Sequence, residues 1–425
     1  MDVEVVTVGT ELLLGFTIDT NAADISRALA AIGARVVHRA TVPDVETSIR
    51  AAVGAGLERT GLVIVTGGLG PTRDDITKRA VASLFGVPLE VDAAYLAGLE
   101  ARWRRLGRGG SMPEANRSQA EIPRGATVLP NPRGTAPGLW LDGDLGIAIL
   151  LPGVPHEMRG LVRDAVVPRL AERVDRGGER TVVRSRTLRT TGVAESALAD
   201  RLGAHEAELR PATLAYLPSF LGVDLRLTVG GLGGDAADRA LTSAAERLGP
   251  LLGADCYGDD ETDLAAVLLA GLAQRGQSLA VAESCTGGLL GARLTAIAGA
   301  SDVFLGGVIT YRNALKTSLL GVDPALLAAH GAVSEEVVRA MAAGARERLG
   351  ADVALAVTGI AGPTGGTEEK PVGTVWLGVA APEVQRAVRI RFPGARDEVR
   401  QRAAQGVLDL ARRALGMAPV PANPA

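Results

Sequence analysis

Short apolar runs separated by amphipathic stretches fill the first third of the chain. Residues 3–8 and 35–40 read as strands, and residues 62–66 form an uninterrupted apolar run. That run lacks the alternation of a half-exposed strand, so it predicts burial on both faces of a parallel sheet. Between the strands, a helical period predicts helices over 19–32, with Asp19 or Thr20 at the cap, and over 45–58. Further helices are expected over 75–85 and 93–106, then a Gly/Pro/Asn-rich loop over 107–137 and a buried strand over 147–151. This β–α alternation predicts a doubly wound α/β domain over residues 1–170, with its ligand site at the carboxyl ends of the strands.

The pattern fades over 171–180, where Arg, Glu, Asp and Gly take over. Residues 171–253 read as a small α+β module with alternating strands over 181–190 and 223–229 and helices over 195–202 and 235–248. It holds no constellation of reactive groups, and its alternating strands suit a connecting or dimerising role, so a homodimer is expected. Asp259, Asp260 and Thr262 mark the start of a helix through residue 273, opening a third segment over 254–425. Strands over 278–282, 303–310, 353–358, 373–380 and 385–392, with a closing helix after residue 395, make it a second α/β unit. It is not a repeat of the first.

At 425 residues the chain is too long for one core. A net charge of −3 gives no global electrostatic reason to bind nucleic acid or an anionic membrane. The cluster Arg102-Trp103-Arg104-Arg105 reads as a solvated helix face. Cys256 and Cys285 have no metal-type spacing and imply neither a disulfide framework nor a structural zinc. Acids beside Met1 do not suit a signal peptide, and the apolar run 264–272 is too short to span a bilayer. A cytoplasmic protein is the expectation.

The sharpest chemistry lies in the third segment. Ala282-Glu283-Ser284-Cys285-Thr286-Gly287-Gly288 sets a hydroxyl where a strand meets a turn and a helix. Serine is almost fully protonated at neutral pH, and all four histidines (His38, His156, His205, His330) lie far from Ser284 in sequence. A lysine whose pKa is lowered by desolvation can activate the hydroxyl instead. Tyr311-Arg312-Asn313-Ala314-Leu315-Lys316 follows the next apolar run. Tyr311 and Lys316 would splay on a continuous helix, so they converge only if Tyr311 ends the strand and Asn313 caps a new helix. The plain alternative makes Ser284 a helix cap and Lys316 a surface residue. Thr286, Gly287 and Gly288 would bring the first helix amides to an oxyanion. Cys285, one residue on, faces the other way and reads as a buried small residue.

In the first domain Gly67, Gly68 and Gly70 precede Asp74 and Asp75. The glycines suit close approach of an anionic ligand, whereas the carboxylates oppose it unless a divalent cation bridges the two. The alternative has one aspartate capping the helix that follows.

The motifs AESCTGG (282–288), VITYRNALK (308–316), HGAVSE (330–335), VTGIAGPTGGTEEKPVGTVW (357–376) and FPGARDEVR (392–400) resemble the CinA C-terminal family, over about residues 264–415. Members of that family hydrolyse nicotinamide mononucleotide to nicotinic acid mononucleotide and ammonia, without a metal. The resemblance implies Ser284 as nucleophile with Lys316 and Tyr311 as its partners. The substrate phosphate then needs donors, for which Arg396 and Arg400, one helical turn apart, are candidates beside their reading as an exposed face. Thr358 and Gly359 open a glycine-rich turn that suits the same ligand.

The N-terminal stretch, with Gly9-Thr10-Glu11-Leu12-Leu13-Leu14-Gly15, Asn21 and Leu151-Pro152-Gly153-Val154-Pro155-His156-Glu157-Met158, resembles molybdopterin-binding domains of the MoaB/MogA type. More closely it resembles the CinA N-terminal domain, over about residues 3–169. Relatives of that domain hydrolyse ADP-ribose to AMP and ribose 5-phosphate with a divalent metal such as Co²⁺ or Mg²⁺. Asp75 is the position shared with the molybdopterin-binding group, and Asp74, Glu11, His156 and Glu157 are further candidates for metal or ligand contact. A structural role for His156 and Glu157 at the start of a helix is equally open. The combined expectation is a bifunctional enzyme recycling fragments of NAD; a non-catalytic molybdopterin-type binding domain is the alternative for the first half.

Overall fold

The computed structural model describes residues 1–105, 111–175 and 181–417. The chain divides into two compact units, one of residues 1–184 with 229–238 and one of the remainder.

In the first unit, strand Asp2–Val8 pairs in parallel with Arg35–Val42 and with Leu62–Thr66, and Leu62–Thr66 pairs in parallel with Gly146–Leu151. All five residues of Leu62–Thr66 are buried, as the apolar run predicts. The reason is two-sided cover. Ile64 packs with Ile25 and Leu29 of helix Asn21–Ala30, while Val63 and Val65 pack with Ile49 and Val53 of Glu46–Thr60 and Val81 of Thr77–Leu84. The doubly wound parallel core is therefore present, with its strand ends converging on residues 67–75 and 152–157.

Several expectations need correction. The helix expected over 75–85 starts at Thr77. Helix Ala93–Arg105 matches the one expected over 93–106, of which residue 106 lies outside the described residues. So do residues 107–110 of the expected loop, whose remainder holds helix Glu114–Arg117 and strands Glu121–Pro123 and Thr127–Leu129. Strand Gly138–Gly143, unforeseen because its apolar run Leu139-Trp140-Leu141 is so short, joins the sheet antiparallel. Of the arginine cluster, Arg104 and Arg105 are exposed as expected, while Arg102 is half-buried and donates to the carbonyls of Asn131 and Gly134.

Residues 171–175 continue helix Val167–Asp175 rather than breaking it, and 176–180 lie outside the described residues. The middle sheet runs in the order Thr213–Pro218, Val223–Leu232, Val182–Thr190, Cys256–Asp259. Helices Glu195–Leu202 and Gly234–Leu252 accompany it. Cys256–Asp259 pairs antiparallel with Val182–Thr190, so this stretch belongs to the middle sheet and not to the third segment. The next helix, Leu264–Ala273, is capped by Asp263, whose carboxylate accepts the Ala265 amide at 2.7 Å; Asp259 and Asp260 do not cap it.

The third sheet has the order Phe304–Ile309, Leu279–Glu283, Val353–Gly359, Thr374–Ala381, Val384–Arg391. Its first three strands are parallel and its last two antiparallel. Helices Leu264–Ala273 and Arg396–Ala414 cover one face through Leu268, Val407 and Leu408. Glu335–Arg348 and Asn313–Leu320 cover the other through Val338, Met341 and Leu320. Leu279–Glu283 is buried throughout, and its carboxyl end delivers Ser284.

Candidate active site

Ser284 is fixed by its main chain, whose amide donates to the Val357 carbonyl of the neighbouring strand at 2.9 Å. Lys316 reaches it from helix Asn313–Leu320, and its Nζ lies 3.1 Å from Ser284 Oγ and 2.7 Å from the Thr310 carbonyl oxygen. The lysine is 1% exposed. Among the described residues no carboxylate lies within ion-pair distance of it. Burial pushes its pKa below the ordinary lysine value, with a smaller opposing effect from the Cys285 thiol. A neutral amine can donate one N–H to Thr310 and present its lone pair to the serine O–H. In that state the pair can act as nucleophile and base.

The turn between strand and helix differs from expectation. Asn313 is exposed and is the first helical residue; Arg312 stands at the cap without a side-chain bond. What fixes the turn is the Thr310 amide, which donates to the Glu283 carbonyl at 2.7 Å. The strand ends at Ile309, so Tyr311 lies in the turn, 58% exposed. Its hydroxyl accepts a hydrogen bond from Arg396 at 2.8 Å and makes none with Ser284 or Lys316. Thr310, not Tyr311, holds the lysine. Tyr311→Phe should therefore lower turnover by less than about tenfold, far less than loss of either dyad member, as steady-state kinetics would show.

The amides of the helix after the nucleophile are also not free for an oxyanion. Those of Gly288, Leu290 and Gly291 donate to the carboxylate of Glu283, at 2.9, 3.1 and 2.8 Å. The amide of Gly287 donates to the Ser284 carbonyl. The amides of Cys285 and Thr286 donate to no main-chain carbonyl among the described residues. Gly287 and Gly288 are needed for their positive φ, 60° and 96°. Thr286 is wholly buried, its hydroxyl unpartnered. Cys285 is buried, and its thiol is pushed up to about 12 by that burial, which leaves it inert as a nucleophile.

On the rim, Arg396 donates to the Gly362 carbonyl and the Tyr311 hydroxyl, and no carboxylate pairs with it among the described residues. Arg400 donates to the Thr286 carbonyl at 2.9 Å and to Asp397. Arg400 thus reaches the nucleophile turn, whereas Arg396 reaches the Gly362 loop and Tyr311 and, among the described residues, keeps a cation without a counter-ion. Thr358 turns away, its hydroxyl bonded to the Ala332 carbonyl. Gly359 is glycine because a Cβ there would lie 2.9 Å from the Thr374 carbonyl oxygen, a packing need rather than a ligand contact. Sequence reasoning missed Glu283 and Thr310. The signal for Glu283 was an acid five residues before the amide of Gly288.

The N-terminal loop is explained mostly by the protein itself. A Cβ on Gly67 would meet the Val8 carbonyl oxygen at 2.2 Å, one on Gly68 the Thr77 hydroxyl at 2.2 Å, and one on Gly70 the Asp75 carboxylate at 2.5 Å. Asp75 does not cap the helix; its Oδ2 accepts from the amide and hydroxyl of Thr72 at 2.8 and 2.6 Å. Asp74 is exposed, as is Glu11. Glu157 accepts from Asn131 at 2.6 Å, and a ring nitrogen of His156 lies 3.4 Å from the Arg133 carbonyl oxygen. Among the described residues no three His, Cys, Asp or Glu side chains are arranged to hold a metal ion, so Asp74, Asp75, Glu11, His156 and Glu157 do not assemble into one cage. Unpaired buried oxygens do occur here, on Asn21 and Thr77. Asn21 donates to Thr66 and to the Gly153 carbonyl, tying two strand ends together.

These features define a multidomain α/β protein with a buried serine–lysine pair at the end of a parallel strand. Residues 261–415 match the CinA C-terminal domain, residues 4–172 the family described as "Probable molybdopterin binding domain", and residues 185–258 the damage-inducible protein CinA KH domain. A CinA-like protein of Gemmatimonas aurantiaca is 55% identical over 416 residues, covering 97% of this chain and 96% of that one. One from Gloeobacter violaceus is 45% identical over 413 residues, covering 96% of each. The chain belongs to the CinA family. Among solved structures, the competence/damage inducible protein CihA from Agrobacterium tumefaciens is 40% identical, covers 36% of this chain and 93% of its own, and has a TM-score of 0.35. No helix among the described residues is long and apolar enough to cross a membrane.

Proposed function

We propose that the C-terminal domain hydrolyses the carboxamide of nicotinamide mononucleotide, releasing ammonia and nicotinic acid mononucleotide. The observation that carries this reading is the 3.1 Å contact between Ser284 Oγ and a buried Lys316 Nζ that has no acidic partner among the described residues. In the first step Ser284 Oγ attacks the carboxamide carbon while its proton passes to Lys316. The oxyanion that forms is served by the amides of Cys285 and Thr286, which no main-chain carbonyl takes among the described residues. As the C–N bond breaks, Lys316 returns the proton to the departing ammonia. Water then attacks the acyl ester, giving its proton to Lys316, and as the ester C–O bond breaks Lys316 passes that proton to Ser284 Oγ and the acid product leaves. Arg396 supplies the cation for the phosphate, with Arg400 bracing the turn. Incubating the full chain with nicotinamide mononucleotide and measuring ammonia together with the acid product tests the reading. Release of neither refutes it.

A second activity, metal-dependent hydrolysis of ADP-ribose to AMP and ribose 5-phosphate, rests on the family resemblance of the first domain. The scattered carboxylates favour the other reading, a domain that binds a molybdopterin-type ligand without hydrolysing it. They do not fit a protein-held cation site. Addition of ADP-ribose with Co²⁺ or Mg²⁺ separates the two. Binding without AMP formation is the outcome expected from the side chains, and AMP formation abolished by chelator would reverse it.

A further inference from the structure

We propose that Glu283 is the positioning residue that sets Ser284 and Lys316 against each other. The inference rests on the amidase reading of the site but concerns a residue that the reaction never touches. Glu283 is 2% exposed, and no cation pairs with it among the described residues. Its Oε2 accepts the amides of Gly288 and Leu290, and its Oε1 accepts that of Gly291. The helix so gripped, Leu289–Thr295, has seven residues. A buried charge is far more than such a helix needs, since a surface Ser or Asp would cap it.

The main chain of the same residue makes the second connection. The Glu283 carbonyl accepts the Thr310 amide at 2.7 Å, and the Thr310 carbonyl accepts Lys316 Nζ at 2.7 Å. One residue therefore anchors the far end of the nucleophile turn through its side chain. Through its backbone it anchors the group that holds the base. Ser284 is the next residue. Between it and Gly288 the turn has a single internal main-chain bond, from Gly287 to Ser284, and two glycines at positive φ. Other anchors of the turn are the Ser284 amide on the Val357 carbonyl and Arg400 on the Thr286 carbonyl, neither of which reaches Gly288 or the lysine.

Glutamine is nearly isosteric but offers one acceptor oxygen and one donor. Whichever way its amide turns, the NH₂ faces at least one backbone N–H, so the grip on the turn fails. Aspartate keeps the charge and both acceptors but is one methylene short. The test compares full-length wild type, Glu283→Gln and Glu283→Asp. It measures kcat and KM for nicotinamide mononucleotide, thermal melting, and the rate at which a fluorophosphonate labels Ser284. Labelling needs only an activated serine: the Oγ–P bond forms, fluoride leaves and Lys316 takes the proton. The expected result for Glu283→Gln is a folded protein whose kcat falls about 100-fold, with KM within about threefold, and whose labelling slows in parallel. Glu283→Asp should recover part of both rates. Should Glu283→Gln fail to fold, the same parallel loss in Glu283→Asp carries the test. A folded variant with kcat and labelling within about threefold of wild type would overturn the proposal, as would a loss of kcat with labelling unchanged. If the wild type labels but does not release ammonia, and labelling falls in the variants, the substrate reading fails while the role of Glu283 stands.

Discussion

Ser284→Ala is expected to remove ammonia release from nicotinamide mononucleotide by a factor of more than about 1,000, because no other nucleophile can take over. The adjacent thiol cannot substitute, since burial holds Cys285 protonated with its pKa near 12. Among the described residues the only side-chain bond that Ser284 makes is to Lys316, so the variant loses a single hydrogen bond, worth about 1 kcal/mol, and should stay folded. Substrate affinity should survive, because Arg396 and the rim do not depend on Oγ. Ammonia release at undiminished rate in a folded Ser284→Ala protein would remove the serine from the mechanism.

Lys316→Arg should cost about as much, on the order of 1,000-fold, although it is the conservative choice by charge. Arginine stays protonated at any workable pH and so cannot accept the serine proton. Its larger fork must also enter a site where the lysine is 1% exposed and its amine bonds, among the described residues, to Ser284 and the Thr310 carbonyl. Steady-state kinetics at neutral and at alkaline pH distinguish this from simple mispositioning. The loss should persist at high pH, because the missing function is proton acceptance.

Much of this was legible in the chain because periodicity and burial coincide in it. The run 62–66 forms the fully buried strand that its lack of alternation predicts, and Leu264 to Leu272 is core because its apolar side chains cover a sheet. Ser284 and Lys316 also converge as the strand–turn–helix reading requires. What sequence did not reveal are groups whose role comes from main-chain geometry. Thr310 holds the lysine through a carbonyl that any residue carries. Glu283 stands in the motif with no spacing that marks its role, yet its carboxylate takes up three helix amides. The family resemblance pairs Tyr311 with the lysine, but the strand ends at Ile309 and leaves the tyrosine hydroxyl with Arg396. In the first domain, glycines that suggest a ligand are accounted for by carbonyl, hydroxyl and carboxylate oxygens of the protein at 2.2 to 2.5 Å from where a Cβ would stand.

The pH dependence of kcat/KM for nicotinamide mononucleotide tests the central claim most directly, because it reports the ionisation of the free enzyme. Burial lowers the Lys316 pKa, so the active, neutral amine accumulates as pH rises. The profile should climb along a single limb whose midpoint lies below the ordinary lysine value of about 10.4, reaching a plateau above it. A rate that is flat across that range, or one that falls as pH rises, would contradict a neutral Lys316 as the base.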